Sequence, residues 1–127
     1  MTPQSPSARI LVVDDEPAVR QLIVRALRPE GYEVIAVNDG QAALDAVEGA
    51  DAPYDLVVSN SHLAHLSGVE LIERLGRRFP GLPVLHLDDL SRPEHPISEA
   101  AATLYRPFSV DALVLEVRRL LRRRAAG

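Results

Sequence analysis

Apolar residues along this chain fall into two alternating patterns. Short continuous runs bounded by turn residues are Arg9–Val13, Tyr32–Val37, Asp55–Asn60 and Pro83–Leu87. Runs of this length, rich in β-branched residues, predict strands buried on both faces. A fifth and shorter strand is predicted at Thr103–Tyr105. Between them the apolar period lengthens to that of a helix. Ala18, Val19, Leu22, Ile23, Ala26 and Leu27 predict one helical face. Ala43, Ala46, Val47 and Ala50 predict a weaker second one, and Val69, Ile72, Leu75 and Phe79 a third. Val110, Leu113, Val114, Val117, Leu120 and Leu121 predict the last helix, ending in Arg122, Arg123 and Arg124. Cations suit a helix C-terminus, so the arginine run reads as a solvated helix end.

Punctuation agrees with this division. Pro17 fits a first helical turn, and the acids just before it can cap one. Pro29–Gly31, Asn38–Gly40, Asp51–Pro53 and Pro80–Gly81 are breakers. The periodicity fails at residues 90–98, where Pro93 and Pro96 exclude an ordinary helix. At most a short helix near residues 97–102 is expected there. Alternating strands and helices predict an α/β fold with a five-stranded parallel sheet covered on both faces. Residues 1–7 are expected to form a disordered tail, residues 8–124 one domain, and residues 125–127 a C-terminal tail.

Composition narrows the possibilities. A chain of 127 residues, 46% hydrophobic and 25% charged, can bury one substantial core. A net charge of −4 gives no reason to expect a nucleic-acid or membrane partner. The absence of cysteine excludes disulfides and zinc-thiolate sites. No signal peptide or membrane-length apolar run is evident, so a cytoplasmic location is expected.

In open α/β sheets the chemistry lies beyond the carboxyl ends of the strands. Here those ends carry Asp14, Asp15 and Glu16 after strand one, Asn60 after strand three, Asp88 and Asp89 after strand four, and Arg106 after strand five. Clustered carboxylates with one cation are costly unless paired or holding a metal. Helix capping also accounts for Asp14 and Asp15. The acidic first loop, with no glycine-rich phosphate cradle, disfavours a flavin or nucleotide site. His62 and His65 read as a solvated loop, lacking a third metal ligand, and His86 as a core-facing residue.

Four segments together resemble the receiver domain of bacterial response regulators, the chemotaxis-regulator-like fold. They are Ile10–Pro17, Tyr54–Asn60 with Gly68 following, Pro83–Leu87, and Tyr105–Phe108. The resemblance covers residues 8–124 and implies a flavodoxin-like sheet of order 2-1-3-4-5. It also implies a site in which an Asp ending strand three takes a phosphoryl group from a histidine kinase. Two acids after strand one help hold Mg²⁺, a Ser or Thr ends strand four, a Lys follows strand five, and an aromatic on strand five is the switch.

Mapped on this chain, Asp14 and Asp15 stand at the metal-binding acids and Asn60 at the phosphoacceptor. Asp88 replaces the hydroxyl residue and Arg106 the lysine. Thr103 stands at the aromatic position, with Tyr105 taken as neighbouring and opposite-facing. Ala64 replaces the usual proline in the loop after Asn60, and the span from Asp88 to Arg106 is short by about one helical turn. An amide is no nucleophile for acyl-phosphate formation and brings a metal no charge. With three site positions changed at once, natural divergence explains the pattern better than one engineered substitution. An Asp88–Arg106 ion pair is expected in place of the phosphoryl–lysine contact.

The resemblance therefore implies a phosphorylation-independent receiver, a protein-interaction module and not an enzyme, without catalytic residues. No cofactor is expected beyond weak residual Mg²⁺ at Asp14 and Asp15. The implied partner is a signalling protein such as a histidine kinase or an output protein. Family dimers often use the region after strand four, irregular here, so a monomer or weak homodimer is expected. Two alternatives stand: a working phosphoreceiver whose acceptor is Asp88 or Asp15, and a flavodoxin-like ligand-binding protein or small enzyme.

Overall fold

The computed structural model describes residues 7–91 and 101–126. Its elements are β1 (Arg9–Val13), α1 (Pro17–Leu27), β2 (Glu33–Val37), α2 (Gly40–Glu48), β3 (Leu56–Asn60), α3 (Gly68–Arg78), β4 (Val84–Asp89), β5 (Ala101–Arg106) and α4 (Val110–Ala126). A 3-10 turn at Arg28–Glu30 follows α1, closed by Gly31 at φ 96°. The strands form one parallel sheet of order β2-β1-β3-β4-β5, the flavodoxin-like arrangement predicted.

The sheet is buried on both faces because its strands carry apolar residues at both parities. Ile10, Val12, Leu56, Val58, Leu85 and Leu87 pack with Ile23, Val24 and Leu27 of α1 and with Leu113, Val114, Val117 and Leu120 of α4. Leu11, Val13, Val57 and Val84 pack on the other side with Ala43, Leu44 and Val47 of α2 and Leu71, Ile72 and Leu75 of α3. Side chains alternate along a strand, so His86 and Asp88 share the α2–α3 side with Val84. Both are fully buried.

Helix starts are fixed by side-chain caps. Asp39 accepts from the Ala42 N–H at 2.7 Å, Ser67 from Glu70 at 3.2 Å and Ser109 from Ala112 at 3.0 Å. The start of α1 differs from the capping expectation. Glu16 holds the cap position without a side-chain bond. The Asp14 carboxylate instead accepts the Glu16 N–H at 2.9 Å, closing the turn two residues on.

Several sequence expectations need correction. On α1, Leu22 is 53% exposed and Val24 is buried, so the core stripe is rotated from the one predicted. Val110 is likewise exposed. On α3, Leu71 is buried and Val69 only half-buried. Residues 101 and 102 belong to β5, where the short helix near 97–102 was expected; residues 97–100 lie outside the described residues. The three arginines of the run are exposed, and Arg124 also donates to the carbonyls of Tyr54 and Asp55, both at 3.0 Å, tying the end of α4 to the start of β3.

Candidate functional site

The register brings the candidate residues to one end of the sheet. Val13 lies beside Ser59, and Asn60 beside Leu87. Asp14 and Asn60 are thus neighbours at the carboxyl ends of β1 and β3. On the far side Asp88 pairs in register with Tyr105, and Asp89 with Arg106.

Asp14 is completely buried. Its backbone N–H donates to Val37 and its carbonyl accepts from Arg20, which fixes the chain around it. One carboxylate oxygen takes the Glu16 N–H; the other, Oδ2, lies 3.6 Å from Nη2 of Arg106. Burial pushes the Asp14 carboxyl above its ordinary value, while the Glu16 N–H and the Arg106 guanidinium pull it back in part. Asp15, next in the chain, is exposed.

Asn60 is 5% exposed. Its amide nitrogen donates to the His62 carbonyl at 3.5 Å, and its Oδ1 is buried without a hydrogen-bond partner among the described residues. The same is true of Ser61 Oγ, Asp14 Oδ2 and Arg106 Nη2. The loop beyond is drawn in tightly. The Gly68 N–H donates to the Ser61 carbonyl at 2.9 Å, and a Cβ on Gly68 would stand 2.7 Å from the Asn60 carbonyl oxygen. That contact explains why glycine opens α3.

Asp88 did not supply the partner expected for Arg106. The ion pair Arg106 makes is with Asp14. The reason is the pleat: Arg106 is opposite Asp89, and Asp88 leaves β4 on the other face. The Asp88 carboxylate accepts the Asp89 N–H at 2.8 Å. The orientation assigned to Tyr105 is also corrected. Thr103 and Tyr105 are two residues apart on one strand and share a face, in register with His86 and Asp88. Thr103 is half-buried and Tyr105 is 36% exposed.

His86 was predicted to face the core and does so. Neither ring nitrogen has a hydrogen-bond partner among the described residues. Burial pushes its pKa below the ordinary histidine value; the Asp88 charge opposes this and His62 adds to it. His65 is exposed at φ 68°, and His62 is half-buried. No group of three or more His, Cys, Asp or Glu residues suited to a metal occurs among the described residues.

The described residues thus form a parallel doubly wound α/β sheet with buried acids, an amide and a guanidinium at its strand ends. The chain belongs to the response regulator receiver domain family, whose family model matches residues 10–118. It is 37% identical over 118 residues to the probable transcriptional regulatory protein TcrX of Mycobacterium tuberculosis, covering 90% of this chain and 50% of that protein. It is 40% identical over 119 residues to the transcriptional regulatory protein TcrA of the same organism, covering 91% and 46%. The chain spans about half the length of these curated relatives.

Among solved structures it is similar to NtrX from Brucella abortus, with a TM-score of 0.82 at 30% identity over 94% of this chain and 28% of that one. It is also similar to the signal receiver domain of an HD domain-containing protein from Pseudomonas fluorescens, with a TM-score of 0.83 at 25% identity over 95% and 99%.

Receivers usually hold Mg²⁺ at this end of the sheet, and the residues here fit it poorly. One buried carboxylate already faces a guanidinium, the β3 residue is a neutral amide, and the remaining acids of the first loop, Asp15 and Glu16, are exposed. A small hard cation needs more anionic oxygen than that.

Proposed function

We propose that this domain is a phosphorylation-independent receiver, a protein-interaction module of two-component-type signalling whose state is set by partners. The observation that carries the reading is Asn60 at the end of β3, in the midst of a strand-end cluster in which the Arg106 guanidinium pairs with Asp14. An amide oxygen cannot form an acyl phosphate. Asp88, completely buried at the end of β4, puts negative charge where phosphoryl oxygens would need a donor. Asp14 and Asp15 hold Mg²⁺ weakly at best.

The partner is a protein, a histidine kinase or an output protein, and the setting is cytoplasmic. No helix among the described residues is long and apolar enough to cross a membrane. The two curated relatives are named as transcriptional regulators. On that basis the domain's signal passes to an output that acts on transcription, and the domain itself makes no nucleic-acid contact. Residues 8–124 act as the folded unit.

Incubation with acetyl phosphate and Mg²⁺, read by intact mass, tests the reading. The expected result is no phosphate adduct. A stable adduct of one phosphate mapped to Asp14, Asp15 or Asp88 refutes it. Repeating the incubation on Asp88→Asn and on Asp15→Asn then shows which acid serves.

A further inference from the structure

Arg106 ends β5, an edge strand, and its partner Asp14 directly follows β1. In the sheet order, β4 and β3 stand between them. Neighbouring strands lie about 4.8 Å apart, so an ion pair of 3.6 Å between these two residues requires the arginine side chain to cross the carboxyl ends of both intervening strands. Its guanidinium therefore lies over the site, beside the acid of β1 and next to the strand that carries Asn60. The arginine side chain is 29% exposed and the aspartate 0%.

Besides Ser61 Oγ, three buried atoms at these strand ends lack hydrogen-bond partners among the described residues: Asp14 Oδ2, Asn60 Oδ1 and Arg106 Nη2. Two accept and one donates. One water molecule, accepting from Nη2 and donating to both oxygens, is of the right valence to satisfy all three. A divalent ion would satisfy the two acceptors, but would leave the guanidinium facing a like charge.

We infer that Arg106 is a tethered cation standing in for the divalent ion, so that the site is neutralised and closed by the chain itself. This deepens the reading proposed above and rests on it. The chemistry differs from that of a lysine at the same place. A guanidinium is planar, always charged and carries several donors on a long side chain. It can remain over the strand ends as a permanent counterion to Asp14. The poor fit of the site to Mg²⁺ then has a specific cause, because binding must first displace a covalently attached cation.

The test is a Mg²⁺ titration of the full chain, followed by calorimetry and by the metal-induced change in melting temperature. Wild type, Arg106→Ala, Arg106→Gln and the double variant Arg106→Ala/Asp14→Asn are compared. Millimolar Mg²⁺ is expected to leave wild type unchanged. Both single variants should bind Mg²⁺ tighter by on the order of tenfold or more, the scale expected from removing one adjacent unit charge. The double variant should lose that gain.

Tight Mg²⁺ binding by wild type, or single variants that gain nothing, overturns the inference. Should the variants fail to fold, the Arg106 Nε–H resonance of wild type decides. Slow solvent exchange, unaltered by Mg²⁺, supports the tethered cation, and rapid exchange or a Mg²⁺-dependent shift refutes it. The two readings fail separately. A phosphate adduct with wild type still blind to Mg²⁺ removes the proposed function alone, and Mg²⁺-binding wild type without an adduct removes the tethered cation alone.

Discussion

Replacing Asn60 by aspartate supplies the carboxylate that the family carries at this position and should make the domain less stable. The amide is 5% exposed, and the completely buried carboxylate of Asp14 ends the adjacent strand at the same level. A new carboxylate about 5 Å away, at an effective dielectric constant near 20, meets a repulsion of about 3 kcal/mol. Arg106 can share itself between the two acids, which leaves a net cost of about 2 kcal/mol at neutral pH. For a domain of this size that corresponds to a fall in melting temperature of about 5–10 °C.

The sign with pH follows from linkage. Burial and a like charge raise the folded pKa of the new carboxyl above its unfolded value. The unfolded chain therefore ionises first, and stability falls as pH rises between the two values. The deficit should be largest at neutral pH and should shrink as the pH drops towards the unfolded carboxyl pKa. Millimolar Mg²⁺ should recover part of the loss in this variant, which has the additional hard anionic ligand. Thermal melts at several pH values, with and without Mg²⁺, check these points. A variant as stable as wild type at neutral pH and indifferent to Mg²⁺ would refute the charge reasoning.

Other expectations concern the rest of the fold. His86, buried with its pKa lowered, stays neutral when folded but protonates when unfolded; its contribution is complete above the unfolded value and is lost as pH falls through the window below it. His86→Leu should flatten that acid slope, at most about 1.4 kcal/mol per pH unit for one proton, and cost little at neutral pH because no hydrogen bond is lost; denaturant titrations across the window measure both. Gly68→Ala gains about 1 kcal/mol in helix propensity. It should nevertheless destabilise by about 1–3 kcal/mol, because its Cβ would meet Asn60 and Ser61 backbone atoms at 2.7–2.9 Å; an unchanged urea midpoint would contradict this. Leu75→Ala, in the α3 core, should cost about 2–5 kcal/mol, whereas Leu22→Ser on the exposed side of α1 should stay within about 0.5 kcal/mol by the same assay.

How much of this was legible in the sequence depends on which physical scale decides each feature. The strands were clear because each is a short apolar run, and β1 was predicted with the bounds observed. The sheet order came through the family resemblance and is the order found. Helix faces were less clear where apolar residues crowd. Leu22, Ile23 and Val24 are consecutive, so several stripes through α1 are equally apolar. Packing beneath α4 selects Val24 and leaves Leu22 in solvent, a choice made by tertiary contact and absent from the periodicity. His86 was readable as a core residue because apolar residues flank it on both sides in β4, although its lack of a hydrogen-bond partner was not.

The partner of Arg106 exposes a different boundary. Sequence reasoning placed Asp88 beside it because the two residues stand at the hydroxyl and lysine positions of the family site, and a guanidinium fork can take a carboxylate in two hydrogen bonds. The pleat turns Asp88 to the opposite face, and side-chain length then matters more than strand order. A guanidinium can cross two strand ends to reach a buried acid whose desolvation cost leaves it in need of a counterion. Three departures from the family pattern thus become physically interdependent. Asn60 carries no charge, Arg106 pairs across two strand ends with Asp14, and Asp88 is fully buried on the opposite face of the sheet from that arginine. Replacing Asn60 alone by aspartate would add charge beside the buried Asp14–Arg106 pair, so recovery of phosphoryl acceptance is expected to require changes at Arg106 and Asp88 as well.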